Sequence, residues 1–249
     1  MIEIKNLTKI FGSNIAISDL NIGVEKGELY GFLGPNGAGK TTTIKILAGL
    51  LFPTSGSVRI NNLDLMKDSE HIKRITGYIP DRPFIYEKLT GREYLNFVSK
   101  LYDVPENNAS ERSQKLLSIF ELTEKADELI ETYSYGMRQK VTIASALIHE
   151  PELIIVDEPV IGLDPKAARL LKNIFKDLCE MEGRTIFMST HTLSIAEELC
   201  DRIGIISKGK LISELTKTEL QRELPLPSSN LEEIFLTITS ESRYEFNKK

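Results

Sequence analysis

Cysteine is scarce in this chain. Only two of its 249 residues are cysteine, Cys179 and Cys200, and neither belongs to a C-x-x-C pair. A disulfide framework is therefore not expected, and both thiols are read as reduced packing residues in separate helices of a cytosolic protein. Long apolar runs are missing as well. None approaches the roughly 18 residues that a membrane-spanning helix needs, so any membrane role has to come through a partner. The opening Met1-Ile-Glu-Ile-Lys-Asn6 has no apolar signal core. Positive charge is not in excess: the net charge is −5 and the pI is near 5.5, so no nucleic-acid surface is expected. Internal repeats and low-complexity tracts are absent. Hydrophobic residues at 41% and charged residues at 27% are ordinary for a globular protein. The length suits one large domain or two small ones, with a core that needs no disulfides.

Against that plain background one segment stands out. Gly34-Pro35-Asn36-Gly37-Ala38-Gly39-Lys40-Thr41 spells the full G-x-x-x-x-G-K-[ST] phosphate-binding loop. Its flanks fit. Glu28–Leu33 reads as a short buried strand, and Ile44, Leu47, Ala48 and Leu51 recur at helical spacing after it. Strand, loop and helix are the context that gives this motif meaning. The glycines let successive backbone N–H groups face phosphate oxygens, and the positive end of the next helix faces the same anion. Lys40 is expected to reach the β- and γ-phosphates and the Thr41 hydroxyl to ligate Mg²⁺. The chain is thus expected to bind a nucleoside triphosphate.

Ile2–Thr8 and Ala16–Val24 alternate like half-buried strands around a turn at residues 11–14, and Val58–Ile60 reads as a third strand ending in Asn61-Asn62. These predict an antiparallel layer near the N-terminus. Roughly residues 87–150 are helix-patterned and read as an insertion. Leu153–Val156 is a continuous apolar run, as expected of a strand buried on both faces. Asp164-Pro165 opens a predicted helix through about Met181, Ile186–Met188 forms the next strand, and Ile203–Ser207 with Leu211–Glu214 form a hairpin around Lys208-Gly209-Lys210. Residues 224–229 read as a linker, and Leu231–Ile238 as a final amphipathic helix.

Asp157 and Glu158 follow the Leu153–Val156 strand directly. Ligands of open parallel sheets bind off the carboxyl ends of strands. Asp157 is therefore placed for the Mg²⁺ shell, and Glu158 for polarising a water against the γ-phosphate. His191 ends the next strand and is a candidate contact to the γ-phosphate or to that water.

Over nearly its whole length the chain resembles the ATP-binding subunit of ATP-binding cassette (ABC) transporters. Residues 34–42, ending at Thr42, match the Walker A loop. Tyr133-Ser-Tyr-Gly-Met-Arg-Gln-Lys140 matches the signature motif, Leu153–Glu158 Walker B, Gly162-Leu-Asp164 the D-loop, and His191 the H-loop. Phe11 stands where the family places an aromatic that stacks on adenine. The resemblance implies an α/β P-loop NTPase with a central, mostly parallel sheet, an N-terminal antiparallel layer and a helical subdomain insertion. Residues 1–220 would be the ATPase domain and 221–249 a short C-terminal extension. It also implies a head-to-tail pair of cassettes, self or paralogue, in which Ser134 and Gly136 meet the γ-phosphate held by the other subunit. For Asp164 the resemblance implies a further role across the dimer, and helix capping alone is the competing account of both Ser134 and Asp164.

Two positions depart from the family pattern. Tyr135 and Met137 replace the first glycine and the glutamine of the signature, and Asp81 occupies the usual Q-loop glutamine position. Asp81 is read either as a metal contact or as a turn residue before Pro83. The Tyr-Ser-x-Gly-Met signature, the acid at 81 and the Leu-Glu-Glu-Ile-Phe-Leu tail at 231–236 are similar to exporter-type ABC-2 cassettes. The implied partner is a separate transmembrane permease that holds the chain at the cytoplasmic face of the cell membrane. Phe84-Ile85-Tyr86 is the candidate docking stretch, against ordinary local packing. A soluble ABC ATPase acting on ribosomes or other macromolecular assemblies is the alternative function.

Overall fold

The computed structural model describes residues 1–159, 163–216 and 218–219. The expected linker at 224–229 and helix at 231–238 lie outside those residues, as does Gly162.

β1 (Ile2–Phe11) and β2 (Asn14–Val24) form an antiparallel hairpin. Both strands run longer than their alternating cores suggest. β3 (Leu29–Leu33) leads through the glycine loop into α1 (Lys40–Leu47). β4 (Ser55–Ile60) and the two-residue β5 (Leu63–Asp64) complete a sheet of order β2-β1-β4-β5. Asn61 and Asn62 between them have φ of 50° and 66°, the left-handed pair that a tight hairpin requires. α2 (Ser69–Arg74) then precedes β6 (Thr76–Ile79). The helical insertion consists of α3 (Gly91–Leu101), α4 (Glu106–Ile119) and α5 (Tyr135–Leu147). Thr90 and Glu93 form a reciprocal capping box at the start of α3.

The chain returns through β7 (Leu153–Asp157), α6 (Pro165–Glu180), β8 (Thr185–Thr190), α7 (Leu193–Leu199), β9 (Arg202–Ser207) and β10 (Lys210–Thr216). The second sheet has order β10-β9-β3-β8-β7-β6 and is parallel except for β10. β3, β7 and β8 are buried at every residue, which is why they read as unbroken apolar runs.

β7 shows how the sheet divides the interior. Ile154 and Val156 join a core shared with α3, α5, α6 and α7, whereas Leu153 and Ile155 join the core under α1 and the antiparallel sheet. That is the two-residue period of a strand, with both faces dry. In the second core Phe187 lies between Tyr30, stacked at 5.3 Å, and Phe32 at 5.4 Å.

Cys179 and Cys200 are both buried thiols. Burial pushes the Cys179 thiol up to about 12. Cys200 is not helical as expected: it follows α7 with extended backbone, φ −85° and ψ 143°.

His149 sits where the insertion rejoins the core. Its ring stacks on Tyr102 at 3.7 Å, and Nε2 contacts the Thr76 carbonyl at 3.2 Å. Nδ1 is buried with no hydrogen-bond partner among the described residues. Burial lowers its pKa from 6.5 to about 4. The unfolded chain therefore takes up this proton first. The contribution is fully present above about pH 6.5, is lost as pH falls towards about 4, and is constant below that. Between about pH 7 and about pH 5, the wild type should lose about 2 kcal/mol more stability than His149→Gln. Urea unfolding of both proteins at the two pH values checks this. Parallel losses would remove His149 as the cause.

Candidate nucleotide-binding and catalytic site

Gly39 sets the shape of the phosphate loop. Its φ is 111°, and a Cβ there would lie 2.6 Å from the Ala16 carbonyl oxygen. Only glycine tolerates both. Gly39 is also the residue before α1, and no side chain caps that helix. Its first N–H groups are left for another acceptor, as an anion site needs. The loop is fastened from outside: the Gly209 N–H donates to the Ala38 carbonyl at 2.8 Å, and the Ser18 N–H to the Gly209 carbonyl at 2.9 Å. Lys40 is buried and donates back to the Gly34 and Pro35 carbonyls at 2.7 and 3.2 Å. Burial lowers its pKa, against the pull of Glu158 and Asp157.

β7 and β8 deliver the acids and the histidine. Asp157 is the last residue of β7 and is fully buried. The Ser189 hydroxyl of β8 donates to its Oδ1, while Oδ2 is buried with no hydrogen-bond partner among the described residues. Burial raises the Asp157 pKa; the Ser189 hydrogen bond and the nearby Thr41 hydroxyl oppose this, and repulsion from Asp81 and Glu158 adds to it. Glu158 has a φ of 52°, a left-handed conformation that costs a bulky residue about 1–3 kcal/mol. Its N–H is held at 3.3 Å by both the carbonyl and the hydroxyl of Ser189. The bend aims its carboxylate inward. Oε1 lies 3.0 Å from His191 Nδ1 and 3.6 Å from Lys40 Nζ, and Oε2 accepts from the His191 N–H at 3.4 Å.

These groups line one cavity of about 670 Å³. Asn36, Gly37, Gly39, Lys40, Thr41 and Thr42 form its loop side. Asp81, Asp157, Glu158 and His191 face them. Phe11 stands at the far end, half exposed, with the Lys9 ammonium 4.9 Å from its ring centroid. Ser134, Gly136 and Asp164 are not among the described residues lining this cavity. Ser134 caps α5, accepting from the Met137 N–H at 3.3 Å, and Asp164 caps α6, accepting from the Ala167 N–H at 2.9 Å. A Cβ at Gly136 would meet nothing within 4 Å, so packing within the chain does not demand glycine there.

Sequence reasoning missed four residues of this cavity wall: Asn14, Ile15, Ala16 and Lys208. Asn14–Ala16 follow Phe11 across a two-residue turn, and Lys208 precedes the glycine that fastens the loop. Neither signal names a ligand without the fold. Ser189 was also missed, although it stands two residues before His191 and parallel pairing sets it opposite Asp157.

The profile of the ABC transporter family matches residues 17–161. The chain belongs to that family. As an ABC transporter ATP-binding subunit it binds and hydrolyses ATP. The bacitracin transport ATP-binding protein BcrA of Bacillus licheniformis is 41% identical over 222 residues, covering 89% of this chain and 72% of BcrA. A solved structure described as the ATP-binding subunit of an ABC transporter superposes with a TM-score of 0.87 at 34% identity, covering 96% of this chain and 99% of that one. The ATP-binding cassette MJ0796, solved as a dimer in a post-hydrolysis state with ADP and Pi, gives a TM-score of 0.79 at 27% identity over 87% of this chain and 99% of its own. The cassette fold expected from the sequence, with its two sheets and helical insertion, is the one observed.

Proposed function

We propose that this ABC subunit hydrolyses ATP between two cassettes arranged head to tail, and that the cycle drives export through a separate membrane-spanning permease. The observation that carries the chemistry is the Glu158 carboxylate, held within 3.0 Å of His191 and 3.6 Å of Lys40 at the end of β7. Lys40 and the N–H groups opening α1 take the phosphates, and Phe11 takes the adenine on its ring. Glu158 accepts a proton from water as its oxygen bonds to the γ-phosphorus and the bond to the bridging oxygen breaks. His191 holds Glu158 and the water in line.

Mg²⁺ fits this donor set. Among the described residues no three His, Cys, Asp or Glu side chains converge as a metal cage. A Mg²⁺ site of one or two carboxylates, a hydroxyl and substrate phosphates needs no such cage. The buried, unpartnered Oδ2 of Asp157 would supply one ligand, Thr41 a second and Asp81 a third. When bound, the ion would neutralise the negative charge that develops on the transferring phosphate.

Ser134 and Gly136 are exposed or partly exposed at the start of α5 and outside their own cavity. That supports a contact with the partner cassette's γ-phosphate, with Asp164 beside it. Residues 1–220 would make up this ATPase domain, with the helical unit at about 87–150 and a C-terminal extension from 221. Among the described residues no helix is long and apolar enough to cross a membrane, so membrane attachment would come through the permease, at its cytoplasmic face. Phe84 and Tyr86, 80% and 61% exposed, offer an apolar face for it, while Ile85 packs inward. The relative BcrA, named for bacitracin transport, supports transport over a ribosomal role.

Trapping Glu158→Gln with ATP in cells and extracting it in mild detergent tests this reading. A polytopic membrane protein should co-purify. Recovery of ribosomes or soluble assemblies instead would overturn the transport role and leave the ATPase chemistry standing.

A further inference from the structure

Tyr135 and Asp81 both depart from the family pattern, and in the fold they meet. The Tyr135 hydroxyl donates to the Asp81 backbone carbonyl at 3.4 Å. Tyr135 is the first residue of α5, directly after the Ser134 cap, and Asp81 lines the nucleotide cavity from the connection between β6 and α3. That connection is fastened to the same helix start a second time. Arg138 of α5 pairs with Glu87 at 2.5 Å and donates to the Tyr133 and Glu131 carbonyls at 3.0 Å, while the Glu131 N–H donates to the Glu87 carbonyl at 3.0 Å. The segment from 81 to 87 is therefore tied to the first turn of α5 at both ends. At the Glu87 end the tie is a charged pair with backbone support. At the cavity end it is one phenol.

We infer that Tyr135 is a positioning residue for Asp81: its hydroxyl fixes where that carboxylate stands in the subunit's own nucleotide cavity. The serine end of α5 and the acid beside the nucleotide then move as one piece. Docking of Ser134 on one nucleotide sets the acid at the other. The inference rests on the proposed metal contact of Asp81. Phenylalanine at 135 would keep the ring and remove only the donor.

The test is a double-mutant cycle of Tyr135→Phe and Asp81→Asn in the full chain, with ATPase rates followed against Mg²⁺ at saturating ATP. Tyr135→Phe should lower kcat about three- to tenfold, the scale of one exposed hydrogen bond. It should raise the Mg²⁺ needed for half-maximal rate and leave KM for ATP within about twofold. Asp81→Asn should shift the rate and the Mg²⁺ requirement, and adding Tyr135→Phe to it should change nothing further. An equal penalty in both backgrounds would mean that Tyr135 only supports α5. Unchanged kinetics in Tyr135→Phe, or in Asp81→Asn, would also overturn the inference. ATP-dependent dimerisation of Glu158→Gln, measured alongside, reports on the wider reading independently of these outcomes.

Discussion

Glu158→Gln is expected to bind ATP as tightly as the wild type and to turn over about 10²–10⁴ times more slowly, the usual loss on removing a general base. Glutamine is the informative replacement because it keeps size and hydrogen bonding. Its amide oxygen can still accept from the His191 N–H, and the bend at residue 158 does not depend on charge. What it loses is the basicity needed to take a proton from water. Lys40 loses an anionic neighbour at 3.6 Å, which favours rather than weakens its hold on phosphate. Single-turnover hydrolysis and nucleotide titration on one preparation separate the two effects. Near-normal turnover would take Glu158 out of the mechanism. Lost nucleotide affinity would make it a binding residue instead.

Ser134→Arg should abolish turnover, by on the order of a hundredfold or more, with ATP binding by the isolated subunit within about twofold. The difficulty is that Ser134 is a real helix cap, and losing a cap costs about 1 kcal/mol of stability on its own. Ser134→Asp separates the roles. Aspartate caps at least as well as serine, yet it brings a negative charge to the place where the partner's phosphate is proposed to dock. If Ser134 only caps, Ser134→Asp keeps full turnover. If it also meets phosphate across the dimer, Ser134→Asp loses turnover while retaining the thermal midpoint. Activity in both variants would sink the head-to-tail arrangement.

The parts of the site that the sequence displays are those whose chemistry lies in consecutive residues. Gly34 to Thr42 and Asp157-Glu158 are each contiguous in one loop or at one strand end, so spacing exposes them, and Ser134 to Gly136 stands out through its resemblance to the family signature. The parts it hides depend on partners brought from elsewhere. Ser189 matters because parallel pairing sets it opposite Asp157. Lys208 matters because its turn is fastened to the phosphate loop. β6 escaped notice for a different reason. Thr76-Gly77-Tyr78-Ile79 has no alternating pattern, and Gly77 looks like a strand breaker. In the fold that glycine permits contact: a Cβ would lie 2.4 Å from the Ala146 carbonyl oxygen of α5. A glycine inside a short strand can mark a close approach of backbones, and that was the available signal. The antiparallel layer was legible because its strands are half exposed and its turn residues, Asn61 and Asn62, are specific.

The alternation along β7 has a consequence for how the central sheet finds its alignment. Strand register is normally enforced by the contrast between a wet face and a dry one. Leu153 to Val156 offer no such contrast, since both faces are apolar and buried. Sliding the strand by one step would exchange one set of aliphatic side chains for another at little loss of burial. It would also carry Asp157 away from the Ser189 hydroxyl and leave a buried carboxylate with no donor, a far larger penalty than a misplaced methyl group. The acid proposed to serve the nucleotide is thus also the index mark of the sheet. Removing its charge and its partner together should leave β7 free to settle in more than one alignment.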